Sequence, residues 1–373
     1  MSSMAAPEVH TGYRSPLLQL PGAVNATGID AGTAWHYGDP IAEQRAADSG
    51  AILIDRSNRA VLTVTGPDRL TWLHTLTSQF LSTLTDGQVT EALVLSPQGH
   101  IEHQFEVAEL GGTTYLDTEP GAGEGLLGYL DGMRFWSKVE VVDAGNEFAC
   151  LTVVGPASPQ AVATALSVVV PDAGHAAPLP DGGFVRRTAA GVDLLVPRQQ
   201  LPGVATSLTG AGAAPAGSWA ADALRIPTRR PRLLVDIDDR TIPNEVQWLA
   251  TAVHLEKGCY RGQETVARVH NLGRPARRLV MLNLDGSAYG LPETGAPVMA
   301  DGRVVGRVGT VAQHHEDGPI ALALVKRTVD AGVPLLAGTV DAVIDPADAL
   351  GEAAISTPLS AIDRRAFSQI RRG

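Results

Sequence analysis

Short apolar runs broken by Gly and Pro dominate this chain, and long helical periods are few. The segment 41–49 (IAEQRAADS) reads as a helix stopped by Gly50. The run 51–55 is apolar and 60–65 alternates, so both read as strands. Gly66-Pro67-Asp68 is a turn from which Asp68 can cap a helix over 68–80, with Leu70, Leu73, Leu76 and Phe80 near a 3.6 period. Strands at 88–95 and 100–108 flank a hairpin turn at 96–99, and 113–118 is a further strand. A helix over 122–133 and a strand at 137–142 follow.

The pattern restarts at 148–154, again closed by Gly-Pro (Gly155-Pro156), which suggests an internal repeat. A helix over 159–169, a hairpin of 183–189 with 191–196, and a helix over 199–209 come next. The stretch 211–217 (AGAAPAG) reads as a flexible loop, and 218–226 as a helix. Past 278 short strands alternate with Gly turns (279–284, 298–299, 303–307, 309–312, 320–324 and 339–344), the signature of a small β-barrel. The fold class is therefore α+β. Two related antiparallel-sheet units are expected at 41–147, completed by 227–274, and at 148–226. An N-terminal arm (1–40), the barrel (275–348) and a poorly ordered tail (349–373) complete the plan.

Composition narrows the classes. With 44% apolar residues, 373 residues can bury a full core, and the length suits two or three domains. The net charge of −11 disfavours a net-basic nucleic-acid binder. The two cysteines, Cys150 and Cys259, exclude a disulfide scaffold and an all-Cys metal site, so a reducing cytoplasm is the expected compartment. Neither a signal peptide nor a membrane-spanning apolar stretch is expected. The histidines make no ligand-spaced site, so no metal is expected, and His314-His315 reads as an exposed turn. Cys150, in an apolar strand, reads as core.

One segment concentrates chemistry: Lys257-Gly258-Cys259-Tyr260-Arg261-Gly262-Gln263-Glu264. Its two glycines allow a loop that presents Cys259, and Lys257 and Arg261 would favour its thiolate. A tight turn with an incidental cysteine accounts for the same residues. The basic run Arg268, His270, Arg274, Arg277 and Arg278 follows directly. It could line the mouth of a site, bind an anionic ligand, touch RNA, or form a solvated connecting loop.

This string resembles the signature of the YgfZ family, tetrahydrofolate-binding proteins related to the glycine cleavage T-protein, the aminomethyltransferase. The resemblance spans about 35–345 and includes Gly66-Pro67-Asp68-Arg69, Leu224-Arg225-Ile226, Val235-Asp236-Ile237-Asp238, Ile242-Pro243-Asn244-Glu245 and Gly306-Arg307-Val308-Gly309-Thr310. It implies a folate-binding body around a central funnel, with tetrahydrofolate as cofactor. Tetrahydrofolate needs a carboxylate for its pterin N–H groups and cations near its glutamate tail. The resemblance places Asp193 where T-proteins carry a pterin-holding Glu, and aligns Arg225 with a folate-contacting Arg. Glu245 could accept from folate, orient Arg225, or cap a helix, and Tyr37 could stack on folate from the arm. Arg229-Arg230-Pro231-Arg232 could form an entry rim for an anion.

One departure separates the two relatives. T-proteins carry two Asp in the strand after the hairpin turn, where this chain has His103 and Gln104. Glu102 is one residue off, and a one-residue shift in a strand points to the other face. The expected function is folate binding in support of iron–sulfur cluster assembly or repair, and through cluster enzymes of tRNA modification, with Cys259 as a reactive thiol. Folate, polyglutamylated forms included, and iron–sulfur enzymes or assembly proteins are the expected partners. Neither a membrane nor direct nucleic-acid binding is expected. The alternatives are a folate-dependent aminomethyl- or methyltransferase and an interaction protein with a vestigial folate site.

Overall fold

A computed structural model describes residues 12–188 and 190–350. The expected tail from 349 lies almost wholly outside the described residues. From residue 12 the arm is mostly irregular, with a short ribbon of Val24–Asn25 and Ala34–His36.

Two antiparallel sheets form the body. The first contains β2 (Ala60–Thr65), β3 (Val89–Leu95), β4 (Ile101–Leu110), β5 (Thr113–Thr118) and β6 (Glu140–Asp143), in the order β3-β4-β5-β2-β6. The second contains β1 (Ala51–Asp55), β7 (Phe148–Val154), β8 (Ala176–Pro178), β9 (Phe184–Arg187), β10 (Gly191–Pro197) and β11 (Ala213–Ala216), in the order β8-β9-β10-β7-β1-β11. The meanders β3-β4-β5-β2 and β8-β9-β10-β7 match strand for strand, so the internal repeat is visible in the topology. Gly66 and Gly155 hold matching places after β2 and β7. A Cβ there would lie 2.2 Å from the Lys138 carbonyl or 2.5 Å from the Gly50 carbonyl, each just before the neighbouring strand.

Three expectations change. Strand 51–55, counted with the first unit, lies in the second sheet between β7 and β11. The expected loop at 211–217 contains β11, parallel to β1. Its Ala/Pro composition carries no strand signal, and Pro215 is tolerated because β11 is an edge strand. Helix 68–80 is shorter, with α2 spanning Arg69–Leu76. Asp68 makes no cap, and its Oδ2 instead accepts from the Lys138 N–H at 2.7 Å.

Period-two alternation sends opposite faces of each strand to different layers. On the outer face of the first sheet, Leu62, Val94, Phe105 and Leu116 pack under α2 and α3 (Gly123–Gly132). On the outer face of the second, Leu53, Leu151, Val192 and Val196 pack under α4 (Ser158–Leu166) and α5 (Leu201–Gly210). Part of the layer between the sheets is apolar, with Val61, Ala108, Cys150, Phe184 and Leu195 in contact. Cys150 is thus buried, and burial pushes its thiol up to about 12.

The barrel is closed: β12 (Arg277–Leu284), β13 (Pro297–Ala300), β14 (Arg303–His314), β15 (Gly318–Lys326), β16 (Leu335–Ala337) and β17 (Val340–Ile344) run in the order β12-β15-β14-β13-β16-β17. The expected strands at 303–307 and 309–312 are one strand with a bulge between Val308 and Val311. β16, three residues long, is too short to show a period.

α6 (Ser218–Arg225) packs on the barrel through Ala223, beside Ile226, Met281 and Leu322. His314 and His315 are enclosed rather than exposed. His314 ends β14, and the His315 N–H donates to Gln44 of α1 (Pro40–Ser49), fastening barrel to body.

Candidate functional site

Beyond the apolar contact between the sheets lies a cavity of about 480 Å³. Strand register builds its walls. Glu91, Glu106 and Asp117 are directly opposed on β3, β4 and β5. Arg186, Asp193 and Thr152 are opposed on β9, β10 and β7. Opposed residues share a face, so two polar rows look at each other across the gap. Arg186 bridges them, lying 2.6 Å from Asp117 and 3.0 Å from Asp193. Asp193 also accepts from the Thr152 hydroxyl at 2.8 Å.

Loops complete the wall. Arg59 holds Asp117 at 2.9 Å and Glu119 at 3.1 Å. Arg232 pairs with Glu119 and with Asp30 of the arm, both at 2.8 Å. Arg230 reaches Glu91 and Glu106. Burial works to raise the Asp117 carboxyl, but Arg186 and Arg59 hold it below the usual range. Burial and the Glu91 carboxylate push Glu106 up to about 7, against the pull of Arg230. Gln104 also lines the cavity and donates to Glu91 at 3.0 Å. His103, one residue earlier, faces the opposite way and packs at a tilt against the Tyr129 ring of α3. Burial lowers its imidazole to about 4.

Of the four residues expected at folate, Asp193 and Arg225 line this cavity, while Glu245 and Tyr37 do not. The Arg225 guanidinium is already committed to Asp222, Asp236, Thr310 and the Arg230 carbonyl. Glu245 neither accepts from the cavity nor orients Arg225. It holds Arg277, which also binds Asp238, and accepts from the Ile242 N–H. Arg307 donates to the Ile237 carbonyl, and Asp236 accepts from the Thr310 N–H. The motifs at 224–226, 235–238, 242–245 and 306–310 thus form the joint between body and barrel. Tyr37 lines a separate open groove of about 980 Å³ between the arm, α1 and α5.

The Cys259 loop lies apart from the cavity lining. Lys257 does not face the thiol: its Nζ donates to the carbonyls of His74, Thr77 and Gln79 at 2.5, 2.6 and 2.9 Å. These include the open C-terminal carbonyls of α2, so the lysine caps that helix. Burial pulls its ammonium down to about 8. The buried Tyr260 ring lies under this ammonium, and Gln263 donates to the Lys257 carbonyl.

Gly262 and Gly99, at φ +81° and +84°, bring the loop onto the 96–99 hairpin turn. A Cβ on Gly262 would sit 2.6 Å from the Ser96 carbonyl and 2.8 Å from Gly99. Gly258 meets nothing within 4 Å. Arg261 pairs with Glu102 at 3.0 Å, and Glu264 pairs with Arg268, both at the surface. Cys259 itself is exposed. Among the described residues, no cluster of three or more His, Cys, Asp or Glu could hold a metal ion. Nor is any helix among them long and apolar enough to cross a membrane.

Glu106, Asp117, Glu119, Arg186, Arg56 and Arg59 escaped the sequence reading. They carry no local motif and meet only through strand register. The available signal was a buried-looking strand interrupted by polar residues at every second position: Gln104, Glu106.

Residues 22–176 match the GCVT N-terminal domain, and residues 277–350 match the CAF17 C-terminal beta-barrel domain. An aminomethyltransferase of Rippkaea orientalis is 29% identical over 325 residues, covering 79% of this chain and 83% of that protein. A chloroplastic protein of Arabidopsis thaliana named as a transferase is 27% identical over 283 residues. That match spans 70% of this chain but 62% of the relative's own length. The glycine cleavage system aminomethyltransferase T of Bartonella henselae shares the fold, with a TM-score of 0.77 at 20% identity over 88% of this chain and 94% of that one.

Proposed function

From the premise that this chain is a YgfZ/CAF17-type relative of the glycine cleavage T-protein, we propose that it binds tetrahydrofolate between its two sheets and supports iron–sulfur cluster assembly or repair, with Cys259 as its reactive thiol. The observation carrying the folate reading is the cavity wall. It offers Asp193 and Glu106 as carboxyl groups for pterin N–H and C=O groups, and arginines for an anionic tail. Its volume of about 480 Å³ falls within the roughly 300–1,000 Å³ of small-molecule sites. Bound tetrahydrofolate would supply one-carbon and redox chemistry. The chain's own contribution is to bind and orient the pterin and to exclude water from it.

Calorimetric titration tests the reading. Tetrahydrofolate should bind the wild type, and Asp193→Ala should weaken binding at least tenfold. No binding up to high micromolar concentration favours an interaction protein instead. Cys259→Ala should bind tetrahydrofolate normally yet fail to restore a cluster enzyme in cells lacking the protein; full restoration removes the thiol role.

A second reading, an aminomethyl- or methyltransferase, is supported by one observation. Gln104 replaces an expected acid but hands its amide to Glu91, and Glu106 lines the same wall. Robust formation of methylenetetrahydrofolate from an aminomethyl donor would favour it.

A further inference from the structure

Directly opposed like charges on a sheet destabilise it unless each finds its own cation. In the row Glu91–Glu106–Asp117, the cations are unevenly divided. Asp117 has two, Arg186 and Arg59. Glu91 and Glu106 share one nitrogen of Arg230, 3.0 Å from Glu91 Oε2 and 2.6 Å from Glu106 Oε1. The Gln104 amide on Glu91 is neutral.

Of the other charged groups near Glu106, Arg186 pulls its carboxyl down, but that cation is divided among several acids. Asp117 on β5 adds negative charge. Arg59, before β2, is engaged by Asp117 and Glu119, and Arg186 on β9 by Asp117 and Asp193. Two carboxyl groups facing one cation in a buried wall cannot both carry charge cheaply. Glu106 lines the cavity and Glu91 does not. Among the described residues, Glu106 Oε2 accepts no hydrogen bond, whereas Oε1 is held by Arg230.

We propose that Glu106 is the proton-holding group of this cavity: it meets the ligand as a carboxylic acid whose Oε2–H donates to an acceptor such as a ring carbonyl. The proton is retained, not transferred, so the wall offers a donor where its residue type suggests only an acceptor. The direction of the Glu106 shift agrees with this assignment. The ligand class follows: a planar heterocycle bearing a carbonyl or equivalent acceptor. For tetrahydrofolate this rests on the folate reading above; for the proton it does not.

Two measurements separate these dependences. The first needs no ligand. In full-length protein with ¹³C-carboxyl-labelled glutamate, the resonance lost in Glu106→Gln should titrate near neutrality and move to lower pH in Glu91→Gln, where the opposing charge is gone. A midpoint in the ordinary glutamate range, about 4.3, overturns the proposal whatever the ligand.

The second is calorimetric binding of tetrahydrofolate from about pH 6 to about pH 9. Above the Glu106 midpoint, wild-type affinity should fall about tenfold per pH unit, because only the protonated form binds. Glu106→Gln keeps an N–H donor, so its affinity should stay flat with pH. Circular dichroism checks that this variant is folded. Affinity that rises with pH means Glu106 accepts rather than donates, and overturns the proposal. If the wild type binds no tetrahydrofolate at any pH, the folate reading fails and the carboxyl titration alone decides the proton.

Discussion

The cavity and the Cys259 loop invert each other. Cavity chemistry is buried, assembled from charged side chains on four separate strands and on the segments between elements, and held by ion pairs across both sheets. The loop's chemistry is contiguous in sequence, and most of its conspicuous residues are anchors. Lys257 caps α2, Tyr260 is core, Gln263 closes the turn and Gly262 seats the backbone on the hairpin. What they jointly produce is one exposed thiol. A dense motif therefore marked where the backbone is fixed, whereas the polar rows that can recognise a ligand left no motif at all.

Breaking the cavity should have the largest effect. Arg186→Met leaves Asp117 and Asp193 without their bridge and should cost about 3–5 kcal/mol in chemical denaturation. A loss below about 1 kcal/mol would mean that water, not Arg186, satisfies both acids.

The loop should break next. Gly262→Val forces a β-branched residue into positive φ against the Ser96 carbonyl, costing on the order of 1–3 kcal/mol. Hydrogen exchange should localise the loosening to 257–263 and the 96–99 turn, leaving the cavity strands protected.

A pH series sharpens the contrast. Glu106 ionises with more difficulty folded than unfolded. Its contribution is fully present below the unfolded value near 4.5 and is lost as pH rises through about 7. Wild-type stability should therefore fall across that window more than that of Glu106→Gln, as denaturation midpoints at several pH values will show.

The smallest effect on stability is expected at Cys259. Cys259→Ser should change it by less than about 0.5 kcal/mol. Native labelling with a thiol reagent should modify Cys259 promptly and Cys150 only on unfolding, since Cys150 is buried and its thiol is pushed up to about 12. Equal labelling rates would contradict the difference in burial.

The sequence by itself determined the elements with strong local physics. Alternating strands, Gly-Pro turns and the restart at 148 made the doubled α+β body and the barrel readable, because period and turn chemistry are local. It also singled out Cys259 as a presented residue. Tertiary structure alone decided three things. Strand β1 joined the second sheet, since strand order depends on which edge is open rather than on adjacency in sequence. Arg225 and Glu245 were drawn into the joint between body and barrel, because Asp236, Thr310 and Arg277 arrive from distant segments to pair with them. Finally, Glu91, Glu106, Asp117, Arg186 and Asp193 became one wall, because register between strands sets which side chains face each other, and register is written across the sheet rather than along the chain.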